Sequence, residues 1–114
     1  MRVPLDETAV VRLNSAGNGT AQLKPLSERE TWYPETVEVK VNSLALKEAR
    51  CSVFVGRDTS LPNFVDGTAS GSVGDSSNKI SGKVVKPGDC VWAVWVNGDA
   101  DVQASLRVTG TKEV

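Results

Sequence analysis

The run from Cys90 to Val96 is the feature that most constrains the fold of this chain. Its residues, Cys-Val-Trp-Ala-Val-Trp-Val, are all apolar and rich in β-branched and aromatic types, which favours a strand. Lys86-Pro87-Gly88-Asp89 supplies turn residues before it, and Asn97-Gly98 supplies them after it. Because both faces of the strand are apolar, we predict a central strand. The alternating run 102–108 is predicted to return beside it as a hairpin.

Further strands are predicted wherever apolar and polar residues alternate or strand-forming residues cluster. These stretches are 8–13, 20–23, 37–41, 51–55 and 80–85. The first two flank a glycine-rich turn, so an N-terminal hairpin is predicted. Residues 26–33 are predicted to be a connector that brings Trp32 back to the core, because Pro34 cuts short any helix there. Residues 44–49 fit either a short helix or a hairpin connection.

The spacing of these stretches predicts an all-β, single-domain antiparallel β-sandwich of about eight strands over residues 1–114. Jelly-roll and immunoglobulin-like topologies fit equally well. Residues 57–79, rich in Gly, Ser, Asp and Asn, are predicted to form a long loop, and 110–114 a polar tail. A chain of this length buries roughly 65% of its unfolded surface, so folding requires neither a metal nor a disulfide.

Composition argues against several functions. The chain has no histidine, the commonest general base and metal ligand, and Asp99 and Asp101 sit in a turn where Asp is common for conformational reasons. The spacing after Asn97 lacks the glycine and the glutamate of a calcium loop. We therefore predict no catalytic residue, no cofactor and no metal site. Thirteen basic against fourteen acidic residues, with no basic run, argue against nucleic-acid binding.

Compartment and cysteine usage are linked in this sequence. There is no signal-peptide pattern and no run of about 18 apolar residues, so we expect synthesis in a cytoplasm and no membrane insertion. Thiols stay reduced there, which favours Cys51 and Cys90 as free, buried thiols. The alternative is a disulfide between them, which would close a loop worth roughly 4 kcal/mol in the chain-entropy model.

The aromatic residues are the best candidates for a contact surface. Trp92 and Trp95 are three apart in a strand, so they point to opposite faces, one to the core and the other outward. Two opposed tryptophans do not make a sugar platform, so a subunit or partner contact is favoured over carbohydrate binding. The predicted contact residues are Trp32, Tyr33, Phe64 and Trp95.

A series of short motifs runs in order through residues 3–111. They are Val3-Pro4-Leu5, Gly17-Asn18-Gly19-Thr20-Ala21, Trp32-Tyr33-Pro34, Cys51-Ser52-Val53-Phe54-Val55-Gly56, Asp66-Gly67-Thr68, Ser70-Gly71-Ser72, Gly74-Asp75-Ser76, Ile80-Ser81-Gly82, Pro87-Gly88-Asp89, Val91-Trp92-Ala93-Val94-Trp95 and Val108-Thr109-Gly110. With this order of motifs the chain resembles small β-rich virion structural proteins of tailed phages that infect actinobacteria.

The resemblance implies a non-enzymatic structural protein of the phage particle, serving in capsid decoration, the head–tail or collar region, or the tail as a minor protein. It implies other virion proteins (capsid, connector or tail subunits) as partners, several symmetric copies of the chain, and assembly in the host cytoplasm. The alternative is a carbohydrate-binding adhesion module on the virion that attaches to a host-surface glycan.

Overall fold

A computed structural model describes residues 1–42, 49–70, 75–79 and 82–114. In these residues the protein consists of strands, turns and one 3₁₀ turn over Leu61–Asn63. The strands are β1 (Arg2–Arg12), β2 (Gly19–Leu23), β3 (Thr31–Val41), β4 (Ala49–Gly56), β5 (Phe64–Ser70), β6 (Asp75–Lys79), β7 (Cys90–Val96) and β8 (Gln103–Glu113). The described ranges contain no helix with the length and apolarity needed to span a bilayer.

The eight strands form two four-stranded sheets. We call them sheet I, in the order β1-β8-β3-β6, and sheet II, in the order β2-β7-β4-β5. Pairing is nested and antiparallel, with β1 on β8, β2 on β7, β3 on β6 and β4 on β5. An immunoglobulin sandwich keeps its first two strands in one sheet, whereas β1 and β2 lie in different sheets here. The predicted all-β sandwich is confirmed, and its strand order is that of a jelly roll.

Both predicted hairpins are wrong, and for the same reason. β1 and β2 flank a turn but lie in opposite sheets, and β7 and β8 do likewise. The strands of the two predicted hairpins pair with each other instead, β1 with β8 and β2 with β7. A glycine-rich turn reverses the chain, but it does not decide whether the next strand bonds beside the last one or crosses to the other sheet.

The two turns that cross between the sheets bond to each other. The Gly98 N–H donates to the Gly17 carbonyl at 2.9 Å, and the Asn97 N–H donates to the Asn18 side chain at 3.1 Å. Gly17 has a φ of +78°, and a Cβ there would collide with the Gly98 backbone. Glycine at position 17 is therefore required both by its own conformation and by the second turn.

A β-bulge in β3 keeps both halves of this long strand facing the core. Pro34 pairs with Gly110 and Thr36 with Thr109, so Glu35 is the extra residue. Trp32 and Pro34 point inward before the bulge, and the predicted Val37, Val39 and Val41 point inward after it. Strict alternation through position 36 would have turned the three valines outward.

The core lies between the sheets. On sheet II, β7 contributes Val91, Ala93 and Trp95, which confirms the prediction of a central strand, since β7 lies between β2 and β4. The other buried core residues are Leu5, Leu13, Ala21, Trp32, Val37, Val39, Val41, Ala49, Cys51, Val53, Val85, Val102, Ala104, Leu106 and Val108.

Two predicted irregular segments contain strands. The predicted loop 57–79 includes β5 and β6, because backbone pairing to β4 and β3 needs no apolar side chain. The predicted tail 110–114 is the end of β8, which continues to Glu113 between β1 and β3.

Two other predictions fall partly on undescribed positions. In the predicted strand 80–85, residues 80 and 81 lie outside the described residues, and only Val85 makes a bridge, to Trp32. For the predicted helix or connection 44–49, positions 44–48 lie outside them too, and Ala49 begins β4.

Candidate interaction surface

An aromatic row crosses the outer surface of sheet II. Inward and outward positions alternate on β7, so Trp92 points away from the core when Trp95 points into it. In the strand register Trp92 lies opposite Gln22 of β2 on one side and opposite Phe54 of β4 on the other, and Phe54 lies opposite Phe64 of β5. The aromatic row therefore covers three adjacent strands, about 10 Å at the usual strand spacing, and Gln22 lies beside its end on β2. We call it, together with the neighbouring outward Val94, the aromatic face.

The rings of the aromatic face are held in defined positions. Phe54 and Phe64 meet edge to face, with ring centroids 5.7 Å apart and an interplanar angle of 74°, a favoured geometry for aromatic pairs. The Trp92 indole N–H donates to the Gly56 carbonyl at 3.0 Å. Phe54 is almost fully covered, Trp92 is half-buried, and Phe64 is 45% exposed. Apolar area thus remains accessible along the row, mainly at Phe64.

The segment 57–63 fixes one end of this face. Asp58 accepts hydrogen bonds from the Ser60 N–H at 3.0 Å and from the Asn63 amide at 2.9 Å. Hydrogen bonding, first from Ser60, lowers the pKa of Asp58 below its ordinary value. Asn63 lies so close to Gly56 that a Cβ at position 56 would collide with its amide group. These contacts order the segment that carries Leu61, which is 84% exposed in the 3₁₀ turn directly before β5.

The outer surface of sheet I has the opposite chemistry, and we call it the charged face. Arg107 on β8 makes a bidentate pair with Asp6 on β1, with N–O distances of 2.9 and 2.8 Å. This guanidinium holds the pKa of Asp6 below its ordinary value. Lys40 lies 3.6 Å from Glu38 on β3. Charges of both signs alternate across this face and pair within the same chain.

Two of the four predicted contact residues are core residues, and this corrects the prediction. Trp95 is 0% exposed and Trp32 is 1% exposed. The Trp32 indole N–H donates at 2.6 Å to Glu30, whose carboxylate lies 3.4 Å from the Lys112 ammonium. The opposed orientation of Trp92 and Trp95 was predicted correctly, but the outward member is Trp92. The predicted return of Trp32 to the core is confirmed.

The other two predicted contact residues lie at the surface, on opposite sides of the molecule. Phe64 belongs to the aromatic face. Tyr33 is on the charged face, where the Arg2 guanidinium carbon lies 3.9 Å from the centroid of its ring. The cation covers one side of the ring. The four predicted residues therefore do not form one site, and only Phe64 joins a continuous apolar surface.

Cys51 and Cys90 are both free and buried, as favoured from sequence. Cys51 lies opposite Trp95 and Cys90 lies opposite Gly56, so the two are about five residues, roughly 17 Å, apart along β7. That separation exceeds the reach of a disulfide. Burial raises the pKa of the Cys51 thiol to about 12, and burial also raises that of Cys90. Neither thiol has the character of a reactive nucleophile.

The acidic turn after β7 has a structural role. Asn97 and Asp101 both adopt positive φ, near +60°, a conformation that Asn and Asp tolerate better than most residues. The Asp101 carbonyl accepts a hydrogen bond from the Arg12 side chain at 3.1 Å, and the Asp99 side chain is buried. Within the described residues no three His, Cys, Asp or Glu side chains gather into a group suited to hold a metal ion.

The sequence reasoning missed Phe54 and Trp92 as surface residues. In β7 both faces are apolar, so the strand itself does not reveal which tryptophan is outward. The signal lies in β2, where polar Thr20 and Gln22 alternate with inward Ala21 and Leu23 and so mark the outer face. To use this signal one must know that Gln22 pairs with Trp92 in the strand register. No local sequence pattern gives that register.

Comparisons with known proteins do not show a family for this chain. No protein-family model matches it, and no curated protein sequence matches it. The resemblance to phage virion proteins therefore stays a prediction, and function is argued from the two outer faces.

Proposed function

We propose that this chain is a non-enzymatic structural protein of a phage particle, which docks on neighbouring capsid, connector or tail subunits through its aromatic face. The observation that carries the proposal is the row Trp92, Phe54 and Phe64 on adjacent strands, with apolar area left accessible at Phe64. Desolvated aromatic clusters of this kind dominate the energy of protein interfaces.

The architecture supports the proposal by analogy. Jelly rolls recur in viral capsid proteins, although one fold serves many functions and the site must carry the argument. Docking through the charged face would remove water from its ion pairs. The free-energy cost of that desolvation can exceed the attraction between the paired charges. The aromatic face loses only apolar hydration, worth about 25 cal/mol per Å². Docking through the aromatic face is therefore favoured over docking through the charged face.

The test begins with the particle. Phage particles purified on a density gradient are digested and searched for peptides of this chain by mass spectrometry, and we expect the chain in constant ratio to the major capsid protein. Particles that lack the chain are then incubated with the purified protein. We expect wild type to bind and Phe64→Asp to fail.

Val84→Asp is the matched control for that experiment. Val84 is 40% exposed, close to the 45% of Phe64, and lies in the connection before β7 rather than on the aromatic face. We expect it to bind as wild type does. Absence of the chain from purified particles would overturn the proposed function, whereas equal binding by both variants would overturn the assignment of the face.

A second candidate function, carbohydrate binding on the virion, is favoured by one observation. Trp92 and Phe64 present partly accessible rings on the same face, and aromatic rings stack on sugars. Trp32 and Trp95 are buried, so a fluorescence change on titration with host cell-wall polysaccharide would come mainly from Trp92. A saturable change that Trp92→Phe abolishes supports this candidate, and a flat titration excludes it.

A further inference from the structure

One edge of sheet I carries unpaired backbone groups. β1 pairs with β8 along its whole length and is the outermost strand of the sheet. The Leu13 N–H donates to the Val102 carbonyl and the Val114 N–H donates to the Met1 carbonyl, in the same register. Hydrogen bonds alternate along an antiparallel strand, so the odd-numbered residues of β1 bond to β8. The N–H and C=O groups of the even-numbered residues face the free edge.

The even-numbered positions divide into a blocked part and an open part. Pro4 has no N–H to donate, which is how natural edge strands limit further pairing. Asp6, Thr8, Val10 and Arg12 follow, and in the described structure their backbone N–H groups have no hydrogen-bond partner. Val10 is also 60% exposed. The open part is a row of four donors and four acceptors beside an exposed apolar side chain.

Charge decides what fits this edge. If a second β1 runs antiparallel beside the first and Asp6 is set opposite Arg12 of the second copy, the symmetry also sets Arg12 opposite Asp6 of that copy. Thr8 then lies opposite Val10 in both directions, a β-branched pair. All four free N–H groups find acceptors, and Ala9, a small residue, lies at the two-fold axis.

The neighbouring registers of two antiparallel β1 strands give poorer hydrogen bonding or poorer charge pairing. A shift of one pairing step toward the start of the strand sets Arg12 against Pro4, which cannot donate. A second such step sets Arg12 against Arg2 of the other copy, and like charges directly opposite are destabilising. A shift the other way sets Asp6 against Asn14, which already belongs to the turn. One register therefore combines opposite charges with complete hydrogen bonding.

We propose that a second copy of this chain pairs with the free edge of β1, so that two copies of sheet I join across a two-fold axis into one eight-stranded sheet. The pairs already present in each copy allow it. Arg107 occupies one side of the Asp6 carboxylate, whose oxygens have further acceptor capacity. Within the described residues Arg12 bonds through its Nε to the Asp101 carbonyl, and its terminal amino groups are then available to the second copy. The inference does not depend on the proposed function.

Cross-linking tests the register directly. Ala9→Cys places two thiols opposite each other in a non-hydrogen-bonded pair, where Cα atoms are about 4.5 Å apart, within disulfide reach. We expect mild oxidation to give a disulfide-linked dimer that reductant reverses. Wild type is the blank, since its two cysteines are buried.

Val10→Cys is the control for chance collision. Val10 is more exposed than Ala9, but in the proposed register it lies opposite Thr8 and away from Val10 of the second copy. We expect it to cross-link much more slowly than Ala9→Cys. Equal or faster cross-linking of Val10→Cys, or no cross-linking of Ala9→Cys, overturns the proposal.

Sedimentation velocity over a concentration series supplies a second measurement. Thr8→Pro removes an N–H that β8 does not use, as Pro4 does in the natural strand, so circular dichroism is expected to stay that of wild type. The dissociation constant is expected to rise more than about tenfold, since two hydrogen bonds are lost. Arg12→Glu is expected to weaken the dimer likewise, because it sets like charges opposite each other. A wild-type monomer at every concentration, or unchanged dimerisation of Thr8→Pro, contradicts the inference.

Discussion

The aromatic face and the charged face are the outer surfaces of two four-stranded sheets, and their side chains differ in chemistry. On the charged face long side chains pair within the chain, as Arg107 does with Asp6. On the aromatic face the rings pack against each other, but Phe64 keeps about half of its surface in water. Among the described side chains, covering the aromatic face is therefore expected to gain more free energy than covering the charged face.

The same difference concerns what each face contributes to the stability of the isolated protein. Exposed ion pairs contribute little, because water screens them and ordering the side chains costs entropy. Buried aromatic area contributes in proportion to the area removed from water. The aromatic face is thus expected to be partly a second, smaller core on the outside of sheet II, whereas the charged face mainly keeps sheet I hydrated.

Phe54→Ala is expected to have the largest effect. Phe54 is 9% exposed and touches Phe64, so the truncation loses buried area and leaves a gap, which costs about 3 kcal/mol of unfolding free energy. Urea denaturation followed by circular dichroism measures it. The matched change on the charged face, Thr8→Ala, is expected to cost no more than about 0.5 kcal/mol. Equal losses would show that the aromatic face is no more a core than the charged face.

Gly110→Ala comes next and tests the glycine of β8 that lies against the bulge of β3. A Cβ there would collide with the Tyr33 carbonyl and lie 2.8 Å from the Glu35 nitrogen at the bulge. We expect a loss of about 2 kcal/mol in urea denaturation, because backbone must shift. Gly88→Ala is the control, since Gly88 also has positive φ but has nothing near a Cβ. It is expected to cost about 1 kcal/mol, and a larger loss than that of Gly110→Ala would contradict this account of the bulge.

Phe64→Ala is expected to destabilise the protein by about 1–2 kcal/mol, less than Phe54→Ala, because the ring is only half covered and mainly loses its edge-to-face contact. Leu61→Ala, at 84% exposure, is expected to change the urea midpoint hardly at all. If Phe64→Ala costs as much as Phe54→Ala, Phe64 is a core residue rather than a docking residue.

Acid titration is expected to give the smallest effect, confined to the charged face. Arg107 lowers the pKa of Asp6 in the folded state from an ordinary 3.8, so the pair stabilises the protein fully above that pH. The contribution disappears as the pH falls through the lowered folded-state value. Urea midpoints between about pH 6 and about pH 2 are expected to fall less steeply for Asp6→Asn than for wild type.

Phe54→Ala serves as the reference for this titration. It carries no titratable change, so its acid curve is expected to run parallel to that of wild type. Asp58 and Glu113, whose pKa values are also lowered, contribute to the slope that remains in every variant. An Asp6→Asn curve parallel to wild type would show that the pair adds nothing to folding.

Much of the fold was predictable because alternation is a local property. The valines of β3 and the run of β7 were recovered from patterns within a few residues, whereas the free thiols were favoured from the expected reducing compartment. Strand partners were not, since β1 finds β8 and not β2, and a turn sequence does not encode that choice. The bulge at Glu35 was invisible for the same reason, because it depends on Gly110 of another strand.

The candidate site was only partly predictable. Phe64 was predicted as a contact residue and lies on the aromatic face. The sequence does not distinguish Trp92 from Trp95, because each has apolar neighbours along the strand, and only the pairing with Gln22 and Phe54 shows which of them faces outward. The free edge of β1 required the hydrogen-bond parity of the β1–β8 ladder, which the sequence does not contain.

The nested pairing of the strands also affects the order in which they can pair during synthesis. Ala49 meets Ser70 and Arg2 meets Glu113, so the innermost ladder joins nearby residues and the outermost spans nearly the whole chain. During synthesis β1 precedes the other described strands and its bonding partner β8 follows them, and non-local pairings of this kind fold slowly. While translation continues, β1 would be open on both edges and exposed to chaperones or to aggregation. β1, which waits longest for its first partner, also keeps an unused edge in the finished fold.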